Sequence, residues 1–258
     1  MKKKRVVVKL GSSTLTHKTG RLNIRRVEKL VKILADIHNA GNEIVLVSSG
    51  AIALGMAKLG LPERPKDTPS KQACAAVGQC ELMYMYDKQF AEYSLTAAQF
   101  LLTKYILIED RRKNVENALE RVINYGVIPV VNENDTVAID ELELEVGEND
   151  SLAATVAAIA KADLLIIMSD IDGLYDKDPH TYPDAKLIPE VRELNDDIRA
   201  LAGGAGSKLG TGGMITKINA AKIAMDNGFD MVIVNGREPE NLYKIFDGIP
   251  VGTRFVAQ

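Results

Sequence analysis

Two lysines and one aspartate stand at positions where a charged side chain needs a partner. Lys9 lies within the apolar run from Arg5 to Leu10, and a lysine is seldom buried in such a strand without an anion beside it. Lys217 falls about one turn into a helix-like segment after a run of glycines, where free amides favour phosphate. Asp150 is well placed to cap the alanine-rich helix that follows it. These residues indicate charge neutralisation of an anion. The alternatives are an edge-strand lysine whose ammonium group reaches solvent for Lys9, a solvated lysine for Lys217 and a simple helix cap for Asp150.

Small, polar or charged residues follow several predicted strands. Ligands gather at the carboxyl ends of parallel strands, where four such ends would meet. Gly11 and Gly50 let backbone amides approach an anion closely, and Ser49 adds a hydroxyl group. Ordinary turn chemistry explains one such end by itself, but four in one sheet favour a ligand site. The four ends are Lys9-Leu10-Gly11-Ser12-Ser13, Ser48-Ser49-Gly50, Asn132-Glu133-Asn134-Asp135 and Ser169-Asp170.

The standard nucleotide-binding motifs are missing. The sequence contains neither G-x-x-x-x-G-K-[ST] nor glycines at the G-x-G-x-x-G spacing, which disfavours a P-loop kinase and a standard dinucleotide enzyme. Of the three histidines, His17 alone falls in a loop that follows one of these strands. The chemistry is therefore expected to need no histidine.

Alternating strand and helix patterns must position these residues. A strand from Arg5 to Leu10, a helix capped by Asn23 that ends near Gly41, and a strand from Ile44 to Val47 form a β-α-β unit. An α/β fold with a parallel sheet and helices on both faces is therefore predicted. The alternation continues with Val127 to Val131, a helix from Ser151 to Ala160, Leu164 to Met168, a helix from about Gly213 to Asn227, and Met231 to Val234.

Two segments depart from this alternation. From Ala138 to Val146, apolar residues spaced mostly by two alternate with acidic residues, which predicts a half-exposed hairpin. From Gly203 to Gly213 there are six glycines in eleven residues, which predicts a loop that is mobile or lies against a ligand.

Composition narrows the function classes. The chain has 258 residues, a net charge of -3 and a pI near 5.8, so it lacks the basic surface typical of nucleic-acid binding. The start shows no signal-peptide pattern, and Lys161 and Asp163 interrupt the most apolar later stretch. We therefore expect a cytoplasmic protein without nucleic-acid or membrane partners. Cys74 and Cys80 are expected to be reduced core residues that bind no metal.

Taken together, five ordered segments of the sequence closely resemble the amino acid kinase family. Within that family they look like the glutamate 5-kinases, and the resemblance extends from about Arg5 to Gln258. The segments are Lys9-Leu10-Gly11-Ser12-Ser13, Ser48-Ser49-Gly50-Ala51-Ile52, Asn132-Glu133-Asn134-Asp135, Gly147-Glu148-Asn149-Asp150 and Gly210-Thr211-Gly212-Gly213-Met214-Ile215-Thr216-Lys217.

The resemblance implies a fold and an activity. The fold would be a three-layer, carbamate kinase-like α/β sandwich around a mainly parallel sheet. It would form one domain over residues 1–258, with a substrate lobe at roughly 1–160 and a nucleotide lobe at roughly 161–258. The activity would be transfer of the ATP γ-phosphoryl group to the γ-carboxylate of L-glutamate, the first step of proline biosynthesis. ATP and Mg²⁺ would be required, without a metal site built from protein ligands.

The resemblance also assigns roles to particular residues. The catalytic residues would be Lys9 and Lys217, which stabilise the phosphoryl group from opposite sides, and Asp150, which orients both lysines. The glutamate-binding residues would be Ser49, Gly50, Asp135, Asn149 and Gly11. The nucleotide-binding residues would be Lys9, Ser169, Asp170, Thr211, Gly212, Gly213, Met214, Ile215, Thr216 and Lys217.

The sequence leaves two alternative functions open and does not decide the oligomeric state or the regulation by proline. A sister kinase acting on another acceptor would share the fold and the lysines, and a non-catalytic amino-acid sensor would keep the fold without transfer. The resemblance suggests a homo-oligomer, either a dimer or a tetramer, with proline as a feedback inhibitor. Many glutamate 5-kinases continue into a C-terminal PUA domain, whereas this sequence stops at Gln258, so a regulatory role of that domain is not carried over.

Overall fold

The computed structural model describes residues 3–17, 19–103, 108–138, 149–203 and 213–257. These residues contain one sheet with the strand order β3-β4-β2-β1-β5-β7-β8-β6. Neighbouring strands are parallel except β7 and β8, which are antiparallel. The strands are β1 (Arg5–Leu10), β2 (Glu43–Ser48), β3 (Ala97–Leu102), β4 (Ile128–Glu133), β5 (Leu164–Ser169), β6 (Glu190–Val191), β7 (Asp230–Asn235) and β8 (Thr253–Phe255).

Helices cover both faces of the sheet and create two hydrophobic cores. Val7 of β1 contributes to the core beneath α5, α6 and α8, whereas its neighbours Val6 and Val8 contribute to the core beneath α2, α4 and α9. Burial on both faces explains why the strands read as continuous apolar runs. The helices are α1 (Ser12–Leu15), α2 (Ile24–Asn39), α3 (Ala51–Leu59), α4 (Thr68–Ala91), α5 (Glu109–Asn124), α6 (Asn149–Ile159), α7 (Asp196–Gly203), α8 (Gly213–Asp226) and α9 (Asn241–Phe246).

Most of the strongly patterned elements are confirmed. The first β-α-β unit is present, and Asn23 caps α2 by accepting a hydrogen bond from the backbone N–H of Arg26. The structure also contains three further predicted strands, β4, β5 and β7, and two further predicted helices, α6 and α8. The ends of these elements differ from the predicted ends by at most two residues. The predicted hairpin and the glycine-rich loop lie almost entirely outside the described residues.

Helix α4 holds both cysteines. Cys74 is buried, as expected, but Cys80 is exposed, so the prediction that both are core residues is wrong. Positions six apart on a helix point in different directions, and one of these directions faces solvent here. Within the described residues, none of the helices combines the length and apolar character that crossing a bilayer requires.

The close packing of α3 against α4 fixes the loop that follows β2. A Cβ atom at Gly55 of α3 would overlap the backbone of Cys74, and one at Gly78 of α4 would overlap the carbonyl oxygen of Ala51. The two helices therefore approach backbone to backbone. Gly50, immediately before α3, has φ 108°, a left-handed conformation that glycine adopts without strain. This geometry turns the chain sharply at the carboxyl end of β2.

Candidate active site

Lys9 and Lys217 converge on the carboxylate of Asp150. The Nζ of Lys9 lies 2.6 Å from Oδ1, and the Nζ of Lys217 lies 3.1 Å from Oδ2. Thr216 donates its hydroxyl hydrogen bond to Oδ2 at 2.9 Å, and Lys217 also donates to the carbonyl oxygen of Gly213 at 2.9 Å. The exposed fractions of Lys9, Asp150 and Lys217 are 9%, 1% and 6%, so all three charges are withdrawn from water.

The cluster leaves an excess of positive charge. Burial raises the pKa of the Asp150 carboxyl, but the charges and hydrogen bonds of Lys9 and Lys217 outweigh burial and hold that pKa below its usual range. Two ammonium groups and one ionised carboxylate give a net charge of about +1 in a buried place. The prediction that Asp150 caps α6 is wrong, because it lies inside the helix and its carboxylate binds the lysines and Thr216 instead.

Asn149 joins the cluster to the ends of β2 and β4. Its side-chain Nδ2 donates to the hydroxyl of Ser49 at 2.6 Å and to Oδ1 of Asn132 at 3.4 Å. Asn132 in turn donates to Oε1 of Gln79 on α4 at 2.9 Å. The buried Oδ1 of Asn149 has no hydrogen-bond partner among the described residues. A buried acceptor without a donor is costly, and a bound ligand with an N–H group would satisfy it.

A buried hydroxyl pair supports the loop after β2 from below. The hydroxyls of Ser48 and Tyr86 lie 2.8 Å apart, and both residues are fully buried. Ser48 also donates to the carbonyl oxygen of Ser49. Tyr86 on α4 therefore helps to hold Ser49 at the edge of the sheet. Tyr86 carries no signal in the sequence, because a tyrosine in a stretch with many apolar residues looks like an ordinary core residue.

Asp135 lies in the turn after β4. Burial is the largest influence on its carboxyl, and together with the charge of Glu133 it outweighs the opposing charge of Arg64 and raises the pKa to about 6. Asp135, with the charge of Glu133 beside it, is therefore suited to receive a cation. Asp135 lines neither of the two cavities described next, as far as the described residues define them.

Two adjoining cavities meet at the cluster. The first, of about 250 Å³, lies over the carboxyl ends of β1, β2 and β5. The second, of about 370 Å³, extends from β5 toward α7 and the start of α8. Lys217, Ser169 and Asp170 line both. The first is also lined by Lys9, Gly11, Ser12, Ser13, Ser49, Asn149 and Met168, and the second by Ile171, Gly173, Leu174, Tyr175, Lys177, Asp178, Pro179, His180, Leu201, Ala202, Gly213 and Met214.

The structure thus gathers most of the predicted site residues at one sheet edge. Gly50, the residue before α3, is not among the described residues that line either cavity, and a Cβ atom there would lie 3.7 Å from the side chain of Leu15. Thr216 is buried beneath the cluster, and the Ile215 side chain packs against the hydrophobic core rather than lining a cavity. Thr211 and Gly212 lie outside the described residues.

The far wall of the second cavity was largely missed. The loop after β5, from Leu174 to His180, supplies much of it, and α7 supplies Leu201 and Ala202. Part of this wall lies in Asp172-Gly173-Leu174-Tyr175, which also resembles a nucleotide-side segment of the amino acid kinases. His180 lines this cavity although no pattern connects it with a strand end.

Comparison with known proteins agrees with this geometry. The model of the amino acid kinase family matches residues 4–235, and the chain belongs to that family. The fold is shared with a carbamate kinase from Giardia lamblia bound to AMP-PNP (TM-score 0.67, 16% identity, 100% of this chain and 99% of that one). A UMP kinase from Bacillus anthracis gives a TM-score of 0.66 at 16% identity over 98% of this chain and 96% of that one.

Within the family, the chain groups with the glutamate 5-kinases. It is 52% identical to the glutamate 5-kinase of Clostridium perfringens over 99% of this chain and 96% of that protein. It is also 52% identical to the glutamate 5-kinase of Carboxydothermus hydrogenoformans, over 98% of this chain and 68% of that protein. The predicted family and fold class are confirmed.

Proposed function

We infer that this chain catalyses ATP-dependent phosphorylation of the γ-carboxylate of L-glutamate, the reaction that opens proline biosynthesis. The relatives at about 50% identity over nearly the whole chain support the substrate, since they are named for it. The observation that carries the reaction type is the buried cluster of Lys9, Asp150 and Lys217 at the junction of two cavities. One cavity would hold the acceptor and the other the nucleotide.

The acceptor side would bind glutamate through groups of both charges. Asp135 would pair with the α-ammonium group, and the unsatisfied Oδ1 of Asn149 would accept a hydrogen bond from it or from a neighbouring donor. Ser49 would donate its hydroxyl to the substrate, and the backbone amides at Gly11 and Gly50 would face the reacting oxygens. This side corresponds to the predicted lobe of residues 1–160.

The nucleotide side would bind ATP along the second cavity. Ser169, Asp170, Gly213 and Met214 line it, and the glycine-rich segment that includes Thr211 and Gly212 precedes α8. Ile215 and Thr216 would act through the backbone and through Asp150, respectively, because neither side chain faces the cavity. This side corresponds to the predicted lobe of residues 161–258.

The chemistry needs alignment and charge neutralisation rather than a base. A glutamate carboxylate has an ordinary pKa of about 4.3, so it is already ionised and has no proton to lose. One of its oxygens forms a bond to the γ-phosphorus while the bond to the β–γ bridging oxygen breaks, and ADP leaves with that electron pair. Lys9 and Lys217 would neutralise the charge on the transferring group, and Asp150 would hold both ammonium groups in place.

The site also fits a magnesium ion carried by the nucleotide. Within the described residues, no group of three or more His, Cys, Asp or Glu side chains could hold a metal alone. Mg²⁺ commonly keeps several waters and binds through phosphates with one or two carboxylates, and Asp170 lines both cavities. When bound, the ion would supply further neutralisation of phosphate charge. Asp170 is the residue that would contribute a carboxylate oxygen.

A hydroxylamine trap tests the proposed function. Purified protein with Mg-ATP and hydroxylamine would convert an acyl phosphate into a hydroxamate, with glutamate, aspartate, N-acetylglutamate or no acceptor present. Lys217→Ala removes a cluster lysine, and Lys222→Ala removes an exposed lysine of the same helix as a matched control. We expect hydroxamate with glutamate alone, lost in Lys217→Ala and retained in Lys222→Ala.

Other outcomes of the trap lead to the alternatives. Product with a different acceptor would keep the mechanism and replace the substrate by that of a sister kinase. No product with any acceptor would leave the amino-acid sensor. Three further properties stay predictions. Cell fractionation would test the cytoplasmic location, light scattering would test the dimer or tetramer, and inhibition kinetics would test the effect of proline.

A further inference from the structure

A basic cleft of about 550 Å³ lies apart from the two catalytic cavities. It is formed where the start of α2 faces the loop between β7 and α9. Four of its lining residues carry permanent positive charge and come from both sides: Arg25, Arg26 and Lys29 from α2, and Arg237 from the loop. The remaining lining residues are His17, Leu22, Asn23, Ile24 and Pro239.

The charges in this cleft are poorly compensated. Lys29 pairs with Glu240, but Arg25, Arg26 and Arg237 form no ion pair with a carboxylate in the described part of the chain. Burial lowers the pKa of Arg26, and the nearby charge of Arg237 lowers it further. The two guanidinium groups are thus close enough to repel one another. An anion between them would relieve that repulsion.

The start of α2 carries charges of the wrong sign for the helix itself. The N-terminus of a helix bears a partial positive charge and favours acidic residues in the first turn. The first turn of α2 contains no acidic residue and includes Arg25 and Arg26. Basic residues in the first turn are unfavourable for the helix, and such unfavourable residues are expected mainly at functional sites. The helix dipole and the arginine side chains would both attract an anion.

Packing holds the two walls of the cleft together. A Cβ atom at Gly236 would lie 2.5 Å from the Oγ1 of Thr14, so glycine lets the loop that carries Arg237 lie against helix α1. Arg26 donates hydrogen bonds to the carbonyl oxygens of Ser13, at 3.0 Å, and Thr14, at 3.3 Å. Since Ser13 lines the first catalytic cavity, Arg26 connects the two sites.

We propose that this cleft is a binding site for a small polyanion that carries at least two phosphate or carboxylate groups. Two guanidinium groups on opposite walls favour planar, bidentate recognition of such groups. The volume and the apolar residues Leu22, Ile24 and Pro239 leave room for the organic body of a phosphorylated or polycarboxylic metabolite. The cleft is separate from the two cavities proposed for glutamate and the nucleotide. Arg26 connects it to them through its hydrogen bonds to the carbonyl oxygens of Ser13 and Thr14.

Calorimetric titration with defined probes tests the proposal. Pyrophosphate and citrate serve as a phosphate probe and a carboxylate probe, and each is titrated without nucleotide, because a nucleotide is itself a polyanion and would compete for the cleft. Comparison with variants of the cleft separates binding there from binding in the catalytic cavities. The proteins are the wild type, the double variant Arg25→Gln/Arg237→Gln, and Lys32→Gln. Lys32 is an exposed lysine of the same helix that does not line the cleft.

We expect at least one probe to bind the wild type and Lys32→Gln alike. The double variant should bind it at least about tenfold more weakly, the loss expected from one charge-assisted contact. The wild-type affinity should also fall between about 0.01 M and about 0.15 M salt. The probe that binds more tightly identifies phosphate or carboxylate as the preferred group.

The proposal would be overturned by equal binding in the double variant and in Lys32→Gln, or by no binding of either probe to the wild type. Circular dichroism establishes that each variant is folded before titration. Arg25 and Arg237 lie outside the catalytic cavities, so the hydroxamate assay without probe should give wild-type rates in the double variant. A failed kinase assignment would leave this binding experiment unaffected.

Discussion

Replacing Asp150 by asparagine removes the anion that Lys9 and Lys217 share. Both carboxylate oxygens are engaged, at 2.6 and 3.1 Å, so the amide of Asp150→Asn must turn its NH₂ group toward one ammonium group. Breaking a buried ion pair by removing one partner costs about 3–5 kcal/mol. For a domain of this size, that loss corresponds to a fall in Tm of roughly 6–20 °C. Misplaced lysines should also lower kcat by about 10²- to 10³-fold.

Ligands and pH give this prediction its sharpest test. Nucleotide phosphates can replace the missing anion, so Mg-ATP without glutamate should raise the Tm of Asp150→Asn more than that of the wild type. The folded pKa of Asp150 is lowered, so its contribution to stability is present above the ordinary carboxyl range. That contribution is lost as the pH falls through the lowered pKa. The stabilities of the two proteins should therefore converge in acid.

Differential scanning fluorimetry and hydroxamate kinetics measure these effects. Asp226→Asn is the matched control, because Asp226 pairs with Lys222 on the exposed face of α8 and its loss should change stability by less than about 0.5 kcal/mol. A wild-type Tm and kcat in Asp150→Asn would refute the argument from the buried cluster. An equal loss in Asp226→Asn would show that an exposed lysine–carboxylate pair contributes as much as the buried cluster, against the argument from burial.

Three further predictions concern the groups around the cluster. The pKa of Asp135 is about 6, and its ionised form would bind the ammonium group of the substrate. In steady-state kinetics, KM for glutamate should therefore be about tenfold higher at about pH 5 than above about pH 7. Asp135→Asn should abolish this dependence of KM on pH. Tyr86→Phe removes the hydrogen bond between the buried hydroxyls of Ser48 and Tyr86, so denaturant titration should show a loss of about 1–2 kcal/mol in the free energy of unfolding, with KM raised more than kcat is lowered. Gly55→Ala should destabilise the protein by more than about 3 kcal/mol in the same titration, because its Cβ would overlap the backbone of Cys74. A wild-type result in any of these measurements would contradict the geometry on which it rests.

The central part of the fold could be predicted because burial is recorded directly in the sequence there. Strands β1, β2 and β5 are covered on both faces, so each appears as an apolar run, and α2 shows a clear helical period with an asparagine cap. Helix α4 was predicted only as a helix-like stretch around Cys74 and Cys80, without bounds, although it has 24 residues. Its apolar and small residues are spread around the helix, because it packs closely against α3 and also covers the sheet.

The site was predictable in its parts but not in its arrangement. Lys9 drew notice as a lysine in an apolar strand, and its buried ion pair with Asp150 gives the physical reason. The sequence pattern alone did not show that Lys217 would meet the same carboxylate, since β1 and α8 come together only through the fold. The contributions of Gln79 and Tyr86 depend on α4, whose extent and place beneath the site were not predicted. The support beneath the site was therefore harder to predict than its surface.

The cluster has two positive charges and one negative charge, which explains how the site can be stable and still attract phosphate. Two lysines without a carboxylate would repel one another in a buried place, and two lysines with two carboxylates would leave no attraction for phosphate. One carboxylate between two ammonium groups holds both in position and retains a net charge of about +1. The groups that we propose to stabilise the transferring phosphoryl group are thus already oriented before the substrates arrive, and little reorganisation would be needed during transfer. For an acceptor that is already ionised, such preorganisation can take the place of a catalytic base.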